Sequence, residues 1–188
     1  MNKAIFLLFV ISVTSFTDSL PQSKVPVKHA LVVAISTYSP SSGFRNIDAD
    51  NDLRIIMKLL RQQGFTDTIV LRNAQASKEG FTGAFTKLRS NVQKGDIVYI
   101  HFSTHGQQLE DLNRDEADGL DEAIALYDAQ TRSSETYKGQ NHLNDDEFGI
   151  LIEQLRKDLG KEGDILVMVD ACHSGSMSRG TSRGWSSS

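Results

Sequence analysis

The single cysteine of this chain, Cys172, has the setting of a nucleophile. It stands in the run DACHSG, residues 170–175, directly after the apolar residues 164–169. One cysteine cannot form an internal disulfide, and a thiol at the polar exit of a strand is poorly placed for a role in packing. The position therefore predicts chemistry at a free thiol.

A histidine occupies a matching position earlier in the chain. His105 follows the apolar residues 96–102 by three positions, just as Cys172 follows its own strand. Parallel strands end at one edge of a sheet, so on neighbouring strands the imidazole can take up the thiol proton. A nearby base raises the thiolate fraction of a thiol whose ordinary pKa is about 8.5. The backbone N–H groups of Gly106 and Cys172 are well placed to bind the oxyanion of an attacked carbonyl.

Strand and helix patterns alternate around these two residues. Strands are predicted at residues 29–36, 68–71, 96–102 and 165–169, and helices at residues 46–63, 77–92 and 144–159. Between His105 and the last helix, the pattern predicts a loop at residues 107–119, a short strand or hairpin arm at 122–127 and polar turns at 131–140. This alternation is typical of an α/β fold with a mostly parallel sheet and helices on both faces.

Composition narrows the functional classes. The 188 residues fit one globular domain, and the 24 acidic and 20 basic residues give a net charge of −4. The absence of a basic stripe interleaved with aromatic residues argues against a nucleic-acid partner. One cysteine and scattered histidines argue against a structural zinc site.

The amino-terminal residues resemble a secretory signal. Lys3 precedes the apolar residues 4–13, and small polar residues follow as far as Pro21. The apolar run is too short to span a bilayer, so no integral membrane segment is predicted. We expect a signal peptide at 1–20, a linker at 21–27, a catalytic domain at 28–175 and a Ser/Gly/Arg-rich tail at 176–188. The protein would then be exported, either secreted or periplasmic; the alternative is that the run forms a buried strand.

The two motifs resemble those of a known family. FSTHG at residues 102–106 and DACHSG at 170–175 are similar to the catalytic motifs of metacaspases, the caspase-fold cysteine peptidases of family C14. Residues 115–128, DEADGLDEAIALYD, resemble the acidic segment after the catalytic histidine of that family. Thr104 replaces a usual glycine, and Phe102 a frequent tyrosine. The resemblance, from about residue 28 to 175, implies a caspase-like three-layer α/β/α sandwich, large-subunit (p20-like) part only, and a His105/Cys172 dyad that forms an acyl-enzyme.

The acidic residue before the cysteine suggests a substrate. A carboxylate at Asp170 favours a cationic side chain in the adjacent pocket. The resemblance implies cleavage of peptides or proteins after Arg or Lys, with Asp170, Asp52 and Ser103 forming that pocket. Asp48 and Asp50 lie close to Asp52 in the sequence and are alternatives to it.

No cofactor is required for this chemistry, although calcium is an expected activator. The resemblance implies that aspartates outside the active site hold the ion, with Asp121, Asp145 and Asp146 at the matching positions; such oxygen ligands suit calcium. The alternative is that Asp145 and Asp146 only stabilise the amino end of the helix that Asn144 caps.

The region after Cys172 is short by comparison with the family. The predicted four-stranded sheet would have an exposed edge, so we expect a small-subunit region, a second chain or a second copy to pair with it. Arg179 and Arg183 in the tail are candidate self-cleavage sites.

Two other functions remain open. One is a non-catalytic caspase-like binding module; the other is a Cys/His esterase or amidase of small molecules on a flavodoxin-like sheet.

Overall fold

The computed structural model describes residues 25–110 and 119–173. The predicted signal peptide, most of the linker and the tail with Arg179 and Arg183 lie outside the described residues. Within the described residues, no helix combines the length and the apolar character needed to cross a membrane.

Strands and helices alternate in the order that the sequence predicts. The described elements are β1 (Lys28–Ala34), α1 (Ala49–Gln62), β2 (Asp67–Arg72), α2 (Lys78–Asn91), β3 (Ile97–Glu110), β4 (Leu120–Ala125), β5 (His142–Asn144), α3 (Asp145–Leu159) and β6 (Asp164–His173). The side chains of Ser77 and Asn144 cap α2 and α3 by accepting N–H bonds, and Gly160 ends α3 with a φ of 70°.

The strands form one mixed sheet with helices on both faces. β1, β2, β3 and β6 are parallel, and β3 lies between β1 and β6. β4 and β5 extend the sheet as antiparallel strands beyond the end of β1. The apolar side of α1 covers one face around Val32 and Tyr99, whereas α2 and α3 pack on the other face around Phe102. The predicted α/β sandwich with a mostly parallel sheet is confirmed.

Two strands are longer than the sequence pattern indicates. β3 continues to Glu110, so the predicted loop is wrong for residues 107–110, and β6 continues to His173. Residues 105–110 pair with β4, and residues 164–173 pair along ten positions of β3. These ladders satisfy the backbone of segments whose polar side chains favour a loop. The sheet has six strands among the described residues, rather than the predicted four.

A buried histidine joins the first residues of three parallel strands. His29 is 3% exposed; its Nδ1 lies 2.7 Å from Asp67 Oδ2, and its Nε2 lies 3.1 Å from Asp96 Oδ2. Asp96 also accepts the backbone N–H groups of Val27 and Gln93. The cluster therefore ties the start of β1 to β2 and β3, at the opposite end of the sheet from His105.

Replacing His29 with alanine is expected to lower the free energy of unfolding by about 2 to 4 kcal/mol, because it removes the buried imidazole that bridges the carboxylates of Asp67 and Asp96. The hydrogen bond from His29 also lowers the pKa of Asp67. A lowered carboxyl pKa contributes stability above its unfolded value of about 3.9, and that contribution is lost as the pH falls through the folded value. Urea denaturation between about pH 3 and 7 should show a weaker acid dependence for Asp67→Asn than for the wild type. An identical pH dependence in both proteins would contradict this role of Asp67.

Candidate active site

The backbone places the two predicted catalytic residues side by side. His105 on β3 and Cys172 on β6 are direct partners in the parallel ladder. Both lie inside their strands, so the expectation that they follow the strands is wrong. The expectation that the two strands are neighbours is confirmed. The pairing brings together residues that are 67 positions apart in the sequence.

The side chain of His105 is held from several directions. It is 6% exposed, and its Nε2 lies 2.9 Å from the backbone oxygen of Arg45. Because a carbonyl oxygen only accepts, Nε2 carries the proton of the neutral ring and Nδ1 carries the lone pair. The ring of Phe44 stacks on the imidazole with centroids 5.3 Å apart and an interplanar angle of 18°. The segment before α1 therefore fixes both the tautomer and the plane of the imidazole.

The predicted pocket residues also meet. Ser103 donates its hydroxyl to Asp52 Oδ2 at 2.6 Å, and it is the ladder partner of Asp170 on β6. Asp170 is exposed and Asp52 is half-buried, so neither carboxylate is sealed in the core. The contact joins the first turn of α1 to the sheet, two residues before His105.

Of the three neighbouring aspartates, the structure brings Asp52 to Ser103. Asp50 instead binds Arg72, whose Nη2 lies 2.6 Å from its Oδ1. Asp48 is exposed at the start of α1 and makes no side-chain capping bond. The geometry thus favours Asp52 over the two alternatives.

Comparison with known proteins identifies the family of the chain. The family model described as the metacaspase, peptidase C14 domain matches residues 28–179. The chain belongs to the metacaspase family. Metacaspase-1 of Mycosarcoma maydis is 29% identical over 157 residues, and metacaspase-1 of Schizosaccharomyces pombe is 36% identical over 110 residues. A crystal structure of a protein from Geobacter sulfurreducens matches with a TM-score of 0.63 and 27% identity, over 80% of this chain and 52% of that one.

The chain corresponds to only part of these metacaspases. The match to the Mycosarcoma maydis protein covers 79% of this chain and 36% of that protein. The match to the Schizosaccharomyces pombe protein covers 58% of this chain and 23% of that protein. The chain therefore spans about a third or less of the length of these two relatives.

Gly106, predicted with Cys172 to supply oxyanion donors, continues β3 beyond His105. It is buried, and it is the ladder partner of His173 on β6 and of Ile124 on β4. The two predicted donors therefore lie on adjacent strands, one residue apart in register.

The three predicted calcium ligands do not form a metal site by themselves. Asp121 is 6% exposed on β4 and accepts from Asn144 Nδ2 at 3.1 Å, and its second buried oxygen has no hydrogen-bond partner among the residues that the structure describes. Asp145 and Asp146 lie in the first turn of α3. Across the part of the chain that the structure describes, no three His, Cys, Asp or Glu residues are grouped closely enough to hold a metal ion.

Sequence reasoning missed the residues that support His105. Beyond Phe44 and the Arg45 carbonyl, Tyr38 accepts the backbone N–H of His105 at 2.8 Å and donates to the Ala125 oxygen at 3.3 Å. Burial raises the pKa of Tyr38, so its hydroxyl stays protonated. No motif marks this segment, since only the folded backbone brings it to the histidine.

A second missed group lies on β5. His142 is buried in that strand, with its Nδ1 3.0 Å from Tyr137 Oη and its Nε2 3.3 Å from Gln107 Oε1. Burial lowers the pKa of His142 to about 4, so the ring is neutral near pH 7. The imidazole also contacts Phe44 edge-on, with centroids 6.4 Å apart. His142 therefore packs against Phe44, whose ring stacks on His105.

Replacing Tyr38 with phenylalanine is expected to lower the free energy of unfolding by about 1 to 3 kcal/mol, because it leaves the buried N–H of His105 without an acceptor. Urea denaturation measures the change. Tyr127→Phe, at a half-buried tyrosine whose hydroxyl makes no hydrogen bond within the described residues, is the matched control and should change stability by less than about 0.5 kcal/mol. Equal stability of Tyr38→Phe and the wild type would contradict the role given to this hydroxyl.

Proposed function

We propose that the chain is the dyad-bearing part of a cysteine endopeptidase that cleaves after Arg or Lys. The observation that carries this proposal is the ladder pairing of His105 with Cys172. This pair lies two residues along the same two strands from the pairing of Ser103 with Asp170. Membership of the metacaspase family supports peptidase activity. The Asp52–Ser103 contact supports an acidic pocket at the same sheet edge.

The proposed reaction uses the lone pair on His105 Nδ1. The imidazole takes the thiol proton of Cys172, and the thiolate attacks the carbonyl carbon of the peptide bond. Backbone N–H groups of Cys172 and Gly106 stabilise the oxyanion, and His105 then gives its proton to the leaving amine. A water molecule, deprotonated by the same imidazole, hydrolyses the resulting thioester and releases the acid. Neither step consumes a cofactor.

The proposed substrate preference follows from the charges of the pocket. Asp52 and Asp170 place two carboxylates near the hydroxyl of Ser103. A guanidinium or ammonium group is attracted to such a site, whereas an aspartate side chain is repelled.

Fluorogenic peptides that end in Arg, Lys or Asp test this proposal directly. The chain and its Cys172→Ala variant are incubated with each peptide, with and without millimolar calcium. We expect the unmodified chain, but not the Cys172→Ala variant, to release the fluorophore from the Arg and Lys peptides. Cleavage after Asp alone would refute the pocket, and activity in the alanine variant would refute the nucleophile.

We further propose that another polypeptide segment covers the outer face of β6. Within the described residues, β6 pairs with β3 alone, and its Leu166 and Met168 are 56% and 48% exposed. Ile55 and Leu59 of α1 are similarly exposed. Exposed apolar side chains on a strand that is paired on one side only are typical of an interaction site. If the chain binds no active-site ligand even when such a segment is supplied, the binding-module alternative gains support over the peptidase.

Calcium activation and export remain proposals. The buried, unpartnered oxygen of Asp121 supports a cation near β4, although no complete ligand set lies within the described residues. Comparison of the peptide assay with and without calcium tests calcium activation. Export is supported by residues 1–20 alone, and N-terminal sequencing of protein secreted by the native host tests it.

A further inference from the structure

His101 lies buried beneath the proposed pocket, and one of its ring nitrogens makes no hydrogen bond within the described residues. It is 4% exposed, and its Nδ1 lies 3.1 Å from Tyr99 Oη. Its Nε2 is buried and has no hydrogen-bond partner among residues 25–110 and 119–173, which the structure describes. An unpaired buried polar atom of this kind costs about 1 to 3 kcal/mol, so a role in packing alone does not explain it.

The same residue lies on the pocket side of the sheet. His101 and Ser103 are two positions apart on β3, so both face the layer formed by α1. His101 lies about 6.6 Å from Ser103 along the strand, on the side away from the dyad. The carboxylates of Asp52 and Asp170 both act electrostatically on its ring. The ring of His101 therefore lies close enough to Asp52 and Asp170, the two acidic groups of the pocket, to interact with their charges.

The ring is suited to accept a hydrogen bond from a cation. Burial lowers the pKa of His101, although Asp170 and Asp52 act in the opposite direction, so the ring is neutral near pH 7. In the tautomer that the proposal uses, Nδ1 donates its proton to the phenol oxygen of Tyr99, and Nε2 carries the lone pair. A neutral acceptor does not repel a positive charge.

We propose that His101 Nε2 accepts an N–H of the substrate guanidinium and so makes the pocket prefer Arg over Lys. This inference rests on the proposed function, since it concerns the same acidic pocket. A guanidinium carries five N–H donors in a planar fork and sits on a longer side chain, so it can bind a carboxylate and still reach a deeper acceptor. The compact ammonium of Lys is satisfied at the carboxylates.

Binding of two matched small cations tests the proposal without requiring turnover. n-Propylguanidinium represents the arginine side chain and n-butylammonium the lysine side chain, and their affinities are measured by NMR titration of the ¹⁵N-labelled chain. We expect the guanidinium to bind the wild type about tenfold more tightly, the effect of one hydrogen bond to a charged group. It should also shift the Nε2 resonance of His101 in the wild type, whereas the ammonium should not.

Two variants isolate the acceptor. His101→Leu should bring the two affinities to within about twofold, whereas His101→Gln, which keeps an acceptor near the Nε2 position, should retain most of the preference. Asp170→Asn should weaken both cations. An unchanged preference in His101→Leu, or an unshifted Nε2 resonance in the wild type, would overturn the role of His101 alone. If neither cation binds the wild type, the acidic pocket and this inference both fail.

Discussion

Replacing Cys172 with alanine is expected to lower kcat/KM for peptides ending in Arg by about 10⁴-fold or more, and His105→Ala by about 10³-fold or more. The first change removes the nucleophile. The second leaves a thiol without the base that raises its thiolate fraction. Steady-state kinetics with a fluorogenic Arg peptide measure both effects.

Cys172→Ser is the matched control for this pair. It replaces a single atom, the thiol sulfur, with an oxygen, and the resulting hydroxyl ionises far less readily, so the variant should be nearly as inactive as the alanine variant. The variants should unfold at wild-type denaturant concentrations. Comparable activity of His105→Ala and the wild type would refute the dyad.

Removing one carboxylate from the pocket is expected to lower kcat/KM for Arg and Lys peptides by about 10²-fold. Asp52→Asn and Asp170→Asn each withdraw one partner of a charge-assisted hydrogen bond to the substrate cation, which costs about 2 to 5 kcal/mol in comparable charge pairs. The loss should appear in KM as well as in kcat, because the cation binds before the reaction begins.

Asp50→Asn is the matched control for the pocket. Asp50 is on the same turn of α1 but is paired with Arg72 at the surface. Its replacement should leave the kinetics within about twofold of wild type, because exposed pairs contribute little. An equal loss in Asp50→Asn and Asp52→Asn would show that the effect comes from the charge of the helix terminus and not from the pocket.

The sequence predicted the elements of this fold well because local patterns specify them. Ser77, Asn144 and Gly160 give local signals for where helices begin and end, and these signals agree with the structure. The apolar strand 96–102 was equally clear, but its extension to Glu110 was not. That extension depends on pairing with β4, which is a tertiary contact and leaves no mark in the local sequence.

The candidate site likewise combines residues that the sequence indicates with contacts that only the folded structure shows. Their positions after two predicted strands singled out His105 and Cys172, and topology predicted that they meet; the motif resemblance then implied that they form a dyad. The choice of Asp52 over Asp48 and Asp50 required the helix to be placed on the sheet, because the three lie within one turn or so of each other. The contacts of Tyr38 and Phe44 with His105 join residues more than 60 positions apart, so periodicity could not reveal them.

Intact-mass analysis after reaction with an irreversible peptide inhibitor tests the central claim most directly. The chain is incubated with an acyloxymethyl ketone peptide that ends in Arg, and with a matched peptide that ends in Asp, and the labelled residue is located by peptide mapping. The account predicts one adduct, on Cys172, from the Arg peptide, and its loss in His105→Ala. Labelling by the Asp peptide alone, or equal labelling in His105→Ala, would contradict it.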